Sequence, residues 1–553
     1  MWQQNYVPVA GSLPLSTLVA AIPIFALLVL LGVLRKPAWM ASLVGLATAA
    51  LVAAGVYGMP LGRLAGAITY GAAFGLFPIG WVVFSAILLY RITLETGKFE
   101  MLKDSIGHLT GDPRLQALLI AFAFGAFVEG AAGFGTPVAV ASAMLVGLGF
   151  EPFKAAAICL LANTAPVAFG SIAIPITTLA VTTGLPFDRL SAGVGRICAP
   201  VSLIVPAYLM LVMSGWKGLR AVLPAATVCG IAFAGTQFVV SNFLNGLLTD
   251  ILSSLAAIGA LIVLIHFTGG ARPQSKHTGR EIAVAWAPYV LLVVFVLVWS
   301  YPPIKAHLDS FNVPVKWPFL HNTIQRMPPV VPKPSGYGAV YIFTWLSASG
   351  TACLFAAILA AIVAGLKPRQ FAGVLAHTAK QLALAELTLA VVLALAMLMN
   401  YSGATATLGL AFAATGAMFP FFSSLLGWLG VFLTGSDTSA NALFGTLQVV
   451  TANKLGMNPV LMASANSAGG PRALTRKNTA AASVEATTAP TSSACVQPMS
   501  STYLATGAVI SAVTSTPMVA SESAGASTLR KLAKRVRKPP SNRISASAIE
   551  PTR

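Results

Sequence analysis

The sequence predicts an all-α polytopic membrane protein with roughly 12–14 membrane segments in two repeat-like halves, carrying broken or re-entrant helices. Three observations carry that prediction. Of 553 residues, 56% are hydrophobic and only 9% charged, with a mean hydropathy of +0.81, values that belong to a chain dissolved in lipid. Apolar runs of about 20 residues, enough to cross ~30 Å of hydrocarbon, recur from Leu15 almost to Gly470. Two regions of this apolar fabric are interrupted by polar, glycine-containing stretches at membrane depth, where lipid-facing helix would carry Leu and Val.

Taken in order, hydropathy marks spans near 15–34, 37–58, 64–90, 115–128, 136–149, 153–183, 193–213, 219–239, 247–267, 283–301, 340–365, 381–399, 404–422 and 423–434. The first fourteen residues contain no Lys or Arg, whereas Arg35 and Lys36 follow the first span. That is the wrong polarity for a cleaved secretory signal, so the first span is read as retained. An N-terminus outside then places both Arg35-Lys36 and the basic segment Arg91–Arg114 in the cytoplasm, as the positive-inside rule requires.

Four regions follow from this pattern. Residues 1–301 form a first membrane half with a helix break at 127–139, and 302–339 a proline-rich connecting loop whose Trp317 and Tyr337 suit an interfacial position. Residues 340–470 form a second membrane half with a break at 434–446, and 471–553 a low-complexity basic tail. The net charge of +19 would point to nucleic acid in a soluble protein. Here eleven of the basic residues, against three Glu, fall in the tail, and most of the rest cluster between spans, so no nucleic-acid partner is expected. Five scattered cysteines form no C-x-x-C pair and imply neither metal nor disulfide framework. No Walker loop, H-E-x-x-H or haem motif occurs, so the chain is read as a non-enzyme without cofactor.

The two breaks have parallel grammar. "FVEGAAGFGTPVAVA" around Gly130 and "FLTGSDTSANALFGT" around Gly435 are each followed by a G-x-x-P element, Gly149 to Pro152 and Gly456 to Pro459, and then by an Ala-Asn pair, Ala162-Asn163 and Ala465-Asn466. Paired interruptions of this kind point to a secondary transporter with its binding site between the halves. Non-helical chain at this depth must be buried in protein or line a cavity, and a helix restarting there, as expected at Thr136-Pro137, offers free N–H groups and a positive dipole end to an anion. Gly130, Gly133, Gly135, Thr136 and Asn163 in the first block, and Gly435, Ser436, Ser439 and Asn441 in the second, are accordingly read as substrate-binding positions suited to a carboxylate.

Glu129 and Asp437 are the informative acids, because an ionised carboxylate at the bilayer centre costs about 3 kcal/mol and needs water, a partner or a proton. Both are read as proton-coupling residues. The alternative is structural: Glu129 hydrogen-bonds the broken backbone, or Asp437 joins a polar network with Ser436, Thr438, Ser439 and Asn441. Glu386 is read as a partner for Lys380 in preference to a proton relay, and Arg196 either holds a substrate carboxylate or snorkels at a helix end.

With these residues in view, "FVEGAAGFGTPVAVASAML", "GSDTSANALFGTLQ" and "NPVLMASANSAGG" resemble the bacterial L-lactate permease family, which includes glycolate permeases, over about Pro8 to Gly470. The resemblance implies a multi-pass symporter of the bacterial inner (plasma) membrane that carries a small 2-hydroxymonocarboxylate inward with a proton. A sodium-coupled carrier, with Asp437, Ser436 and Asn441 as oxygen ligands, and a non-transporting membrane sensor are the alternatives. After Gly470 the chain departs from the family pattern, turning into "PRALTRKNTAAASVEATTAP" and ending near "RKLAKRVRKPPSNR", which reads as a shifted reading frame or a disordered tail.

Overall fold

A computed structural model describes residues 1–107, 109–133, 135–267 and 278–469. The basic tail 471–553, with its frame-shift reading, lies outside the described residues.

Helix forms wherever an apolar run lacks a breaker, and the breakers set the joints. The first three helices are α1 (Leu13–Gly32), α2 (Ala38–Gly55) and α3 (Leu61–Phe74). Gly75–Gly80 is π-helical and contains Pro78, which lacks the N–H a regular turn would use; it joins α3 to α4 (Trp81–Glu95). The short α5 (Lys98–Gly107) precedes α6 (Pro113–Gln116), which Asp112 caps by accepting from the Arg114 backbone N–H at 2.8 Å. The Arg114 side chain also donates to this carboxylate and holds it below the usual range. From α6 the chain continues through the π-helical Ala117–Phe124 into α7 (Gly125–Ala131).

Next come α8 (Thr136–Gly147), α9 (Pro152–Ala162) and α10 (Gly170–Thr183), with α9 and the 167–183 segment bent by 69° at their break. The long α11 (Phe187–Phe243) is interrupted at Gly215, where φ is +66°, so its two parts are the separate spans expected near 193–213 and 219–239. It is followed by α12 (Thr249–Phe267), α13 (Gly279–Ser300) and α14 (Pro302–Asp309). The second membrane region holds α15 (Ser349–Val363), α16 (Pro368–Ser402), α17 (Ala404–Phe412), α18 (Phe419–Thr434), α19 (Asp437–Lys454) and a helix at 459–469.

Among the described residues, nine helices are long and apolar enough to cross a membrane, or ten with the bent pair, which agrees with an all-α polytopic membrane protein. The break at Gly215 and two shorter apolar helices, α8 and α15, account for further segments that hydropathy counts separately. One boundary moves: the span expected at 340–365 begins only at Ser349. Residues 340–343 are instead β5 (Val340–Phe343), paired antiparallel with β2 (Val313–Lys316). The proline-rich stretch also supplies β3 (Ile324–Arg326) and β4 (Ser335–Gly336), and β3 takes up β1 (Trp2–Gln3) as a parallel neighbour. These strands gather at one end of the bundle with the N-terminus, where Gln4 Nε2 donates to the carbonyls of Asn400 and Tyr401.

The segment 113–131 lies at the centre. Its apolar window is 89% buried by other protein, against 28–39% for α1, α2 and α13, so it is enclosed by helices while those three face outward. The first break is therefore built into the most enclosed element of the fold.

Candidate functional site

Glu129 sits in the last turn of α7, just before the chain leaves helix at Ala132. Gly133 and Gly135 carry the turn at φ of +61° and +77°, a region costly for side chains, and Thr136-Pro137 starts α8 with Pro in the first turn. Thr136 is buried, its N–H donating to the Gly133 carbonyl at 3.0 Å. The Glu129 carboxyl is only 6% exposed, lies beside the Asn163 side chain, and presses so closely on Gly170 that a β-carbon there would overlap it.

The opposite wall is a second break, and it is strained. After Asn163 the chain leaves α-helix, passes through a 3₁₀ turn at Val167–Phe169 and enters α10, whose residues Ser171, Ile172 and Ala173 all have left-handed φ, at 47°, 57° and 56°. For β-branched Ile172 this is a true outlier, and each such residue costs about 1–2 kcal/mol. Ser171 holds the segment by donating its hydroxyl to the Ala132 carbonyl at 2.8 Å, and Gly133 lies against the same hydroxyl. The two breaks thus brace each other around Glu129.

The third break separates α18 from α19 at Gly435, φ +72°, and Ser436, which caps α19 by accepting from the Ser439 N–H at 3.2 Å. Asp437 Oδ2 accepts from Ser467 Oγ at 2.7 Å and from Asn441 Nδ2 at 3.3 Å. Asn441 also donates to the Pro175 carbonyl of α10 and accepts from Asn466, which in turn accepts from Gln448. α10 therefore touches both polar centres, Glu129 at Gly170 and the Asp437 network at Pro175.

The candidates sort by this geometry. Glu129, Gly133, Gly135, Thr136 and Asn163 meet at the first centre; Asp437, Gly435, Ser436, Ser439 and Asn441 at the second. Gly130 is not at the turn; it lies inside α7 against the first turn of α12. Arg196 is exposed and donates to Asn242 Oδ1 at 2.7 Å, so in this conformation it stands at the surface. The expected Glu386–Lys380 pair is absent among the described residues: Glu386 packs on Gly80 and Lys380 is exposed, because six residues along a helix place two side chains on different faces. The acids at both polar centres are buried, Glu129 at 6% and Asp437 at 3% exposed, while Asn163, Gly435, Ser436 and Ser439 are half-buried.

The comparisons with known proteins agree with the motif blocks that form these breaks. A family profile described as L-lactate permease matches residues 16–494. The chain belongs to the L-lactate permease family. It is 42% identical to the L-lactate permease of Escherichia coli (strain K12), over 85% of this chain and 89% of that protein. The same identity and coverage hold for the L-lactate permease of Bacillus subtilis (strain 168) and for glycolate permease GlcA of Escherichia coli (strain K12). These relatives are permeases rather than enzymes, and with the apolar helices they make the chain a multi-pass protein of a bacterial membrane.

Sequence reasoning about this permease family member overlooked one buried acid. Asp250, 1% exposed, stands in the first turn of α12 opposite Gly130. Its signal was an aspartate inside the apolar window 247–267, masked by its nearness to the span's start. Ser467 and the left-handed run 171–173 carried no readable signal, since serines and alternating Ile and Ala are ordinary in helices.

Proposed function

We propose that this chain is a secondary active transporter that imports lactate or a similar small 2-hydroxymonocarboxylate by proton symport, with Glu129 and Asp437 as the proton-coupling acids. Substrate class follows the relatives, named for L-lactate and glycolate. The observation that carries the coupling is Glu129 itself: a buried carboxyl, one oxygen of which has no hydrogen-bond partner among the described residues, wedged where two broken helices meet. Such an acid is stable when it holds a proton or faces a bound ligand.

Energetics favour the pairing. Lactate entering alone works against an inside-negative potential by about 2.3 kcal/mol per 100 mV, whereas lactate with one proton moves no net charge. The substrate carboxylate is received at the start of α8, beside Gly133 and Gly135, by the Thr136 hydroxyl and the amide of Asn163; Ser436, Ser439 and Asn441 line the second centre.

A radiolabelled uptake panel of L-lactate, D-lactate and glycolate tests the reading. Accumulation should be sodium-independent, collapse with a protonophore, and be lost in Glu129→Gln. Uptake that requires sodium, or that survives the protonophore, contradicts proton symport and favours a cation at Asp437, Ser436 and Asn441.

A further inference from the structure

Glu129 is not alone. The residue beside it, Gly130, meets α12 so closely that an added β-carbon would stand 2.8 Å from Asp250 Cβ and 3.0 Å from the Ile251 nitrogen. The last turn of α7 and the first turn of α12 therefore touch where each carries an acid, Glu129 on one and Asp250 on the other. Both Asp250 oxygens and Oε2 of Glu129 lack hydrogen-bond partners among the described residues.

Among the described residues no cation accompanies them. The three ion pairs found among the described residues, Lys103–Glu100, Arg114–Asp112 and Lys154–Glu151, lie elsewhere. Of the segments packed on α12, α7 brings Glu129, while α10, 117–124 and 246–248 bring no titratable group. The charged residues of α11 are all exposed, and its buried titratable groups are Cys198 and Cys229. Around α7, α8 brings nothing titratable; α9 brings exposed Lys154 and buried Cys159; α4 brings Tyr90, Arg91 and Glu95 toward its far end.

Two ionised acids on touching helix turns inside an apolar interior repel, so the two carboxyls together are more stable holding one proton than none. The single negative charge that remains is favoured by the position of Asp250 in the first turn of α12, at the positive end of the helix dipole. We propose that Glu129 and Asp250 form one proton site, a two-carboxyl pair that holds one proton when empty and takes the coupling proton as its second when the substrate anion binds. This rests on the symport reading and extends it to a residue on a different helix. On the outer side an O–H bond forms on the pair's remaining carboxylate, taken from hydronium; on the inner side that bond breaks and the proton returns to water. No electrons move.

Proteoliposomes under an imposed pH gradient, acid outside, test this with L-lactate as probe. Wild type should concentrate lactate. Asp250→Asn should bring the inside-to-outside ratio down to one and slow gradient-driven uptake by at least about tenfold, the order contributed by one proton-transferring group. Asp250→Glu should still concentrate lactate, with its pH profile displaced from that of wild type. Asp250→Asn that accumulates lactate as wild type does, with the same pH profile, overturns the proposal. Should Asp250→Asn not insert as a monodisperse protein, Asp250→Glu decides: a displaced profile supports the shared site and an unchanged one overturns it. Failure of wild type to respond to the pH gradient would instead sink the symport reading.

Discussion

At the scale of single residues, Gly133 is the most constrained position near Glu129. Its φ of +61° excludes side chains at low cost, and a β-carbon there would collide with Ser171 Oγ, the hydroxyl that ties α10 to Ala132. Gly133→Ala is therefore expected to destabilise the folded state by about 2–4 kcal/mol, through backbone strain and the displaced serine. A thiol-reactive dye can follow this, because the side chains of Cys159, Cys198, Cys229 and Cys353 are buried and become accessible only on unfolding. In a Cys495→Ser background the variant should melt several degrees below its parent. An unchanged melting temperature would show that Ser171 moves aside freely. Glu129 makes the complementary case: Glu129→Gln keeps the shape of the side chain while removing its ability to give up a proton, so its expected phenotype is lost accumulation with normal insertion.

At the scale of elements, α10 is the strut between the two polar centres. Asn441 fastens it to α19 by donating to the Pro175 carbonyl at 3.0 Å, while Thr446 donates to the Thr182 carbonyl at 2.8 Å farther along. Asn441→Ala removes the first tie and leaves Asp437 with Ser467 alone. Buried polar contacts between membrane helices are worth about 0.6 kcal/mol on average, up to ~1.7, so a loss of about 1–2 kcal/mol is expected, with weaker lactate uptake. Normal uptake affinity in that variant would separate the Asp437 network from transport. Much of this architecture was legible beforehand. Glycine and proline inside apolar runs marked the breaks at 132–136 and 435–437, because lipid permits no unsatisfied backbone. What could not be read was which break faces which, since that depends on contacts such as Ser171 with Ala132, between residues with no distinctive composition. Asp250 was missed for the opposite reason: an acid near the start of a span looks interfacial until a neighbouring helix is seen to bury it.

At the scale of the whole molecule, charge and topology run together. α1 leaves the strand end of the bundle and α2 returns to it, so Arg35 and Lys36 lie at the other end; α16 likewise runs from Lys367 to Asn400, whose carbonyl holds Gln4. On the positive-inside rule the strand end is expected to face outward. In a background lacking native cysteines, Asn312→Cys should react with a membrane-impermeant maleimide on intact cells, and Arg369→Cys only after permeabilisation; the reverse pattern would invert the orientation. Between those two sides, on the proposed symport, an organic anion and a proton move together through the helix breaks around Glu129. The most direct measurement of this is the pH outside lactate-free proteoliposomes when L-lactate is added. Wild type should alkalinise the medium by one proton per lactate taken up, and Glu129→Gln should not. Equal alkalinisation by that variant, or lactate entry with no proton following it, would contradict the account.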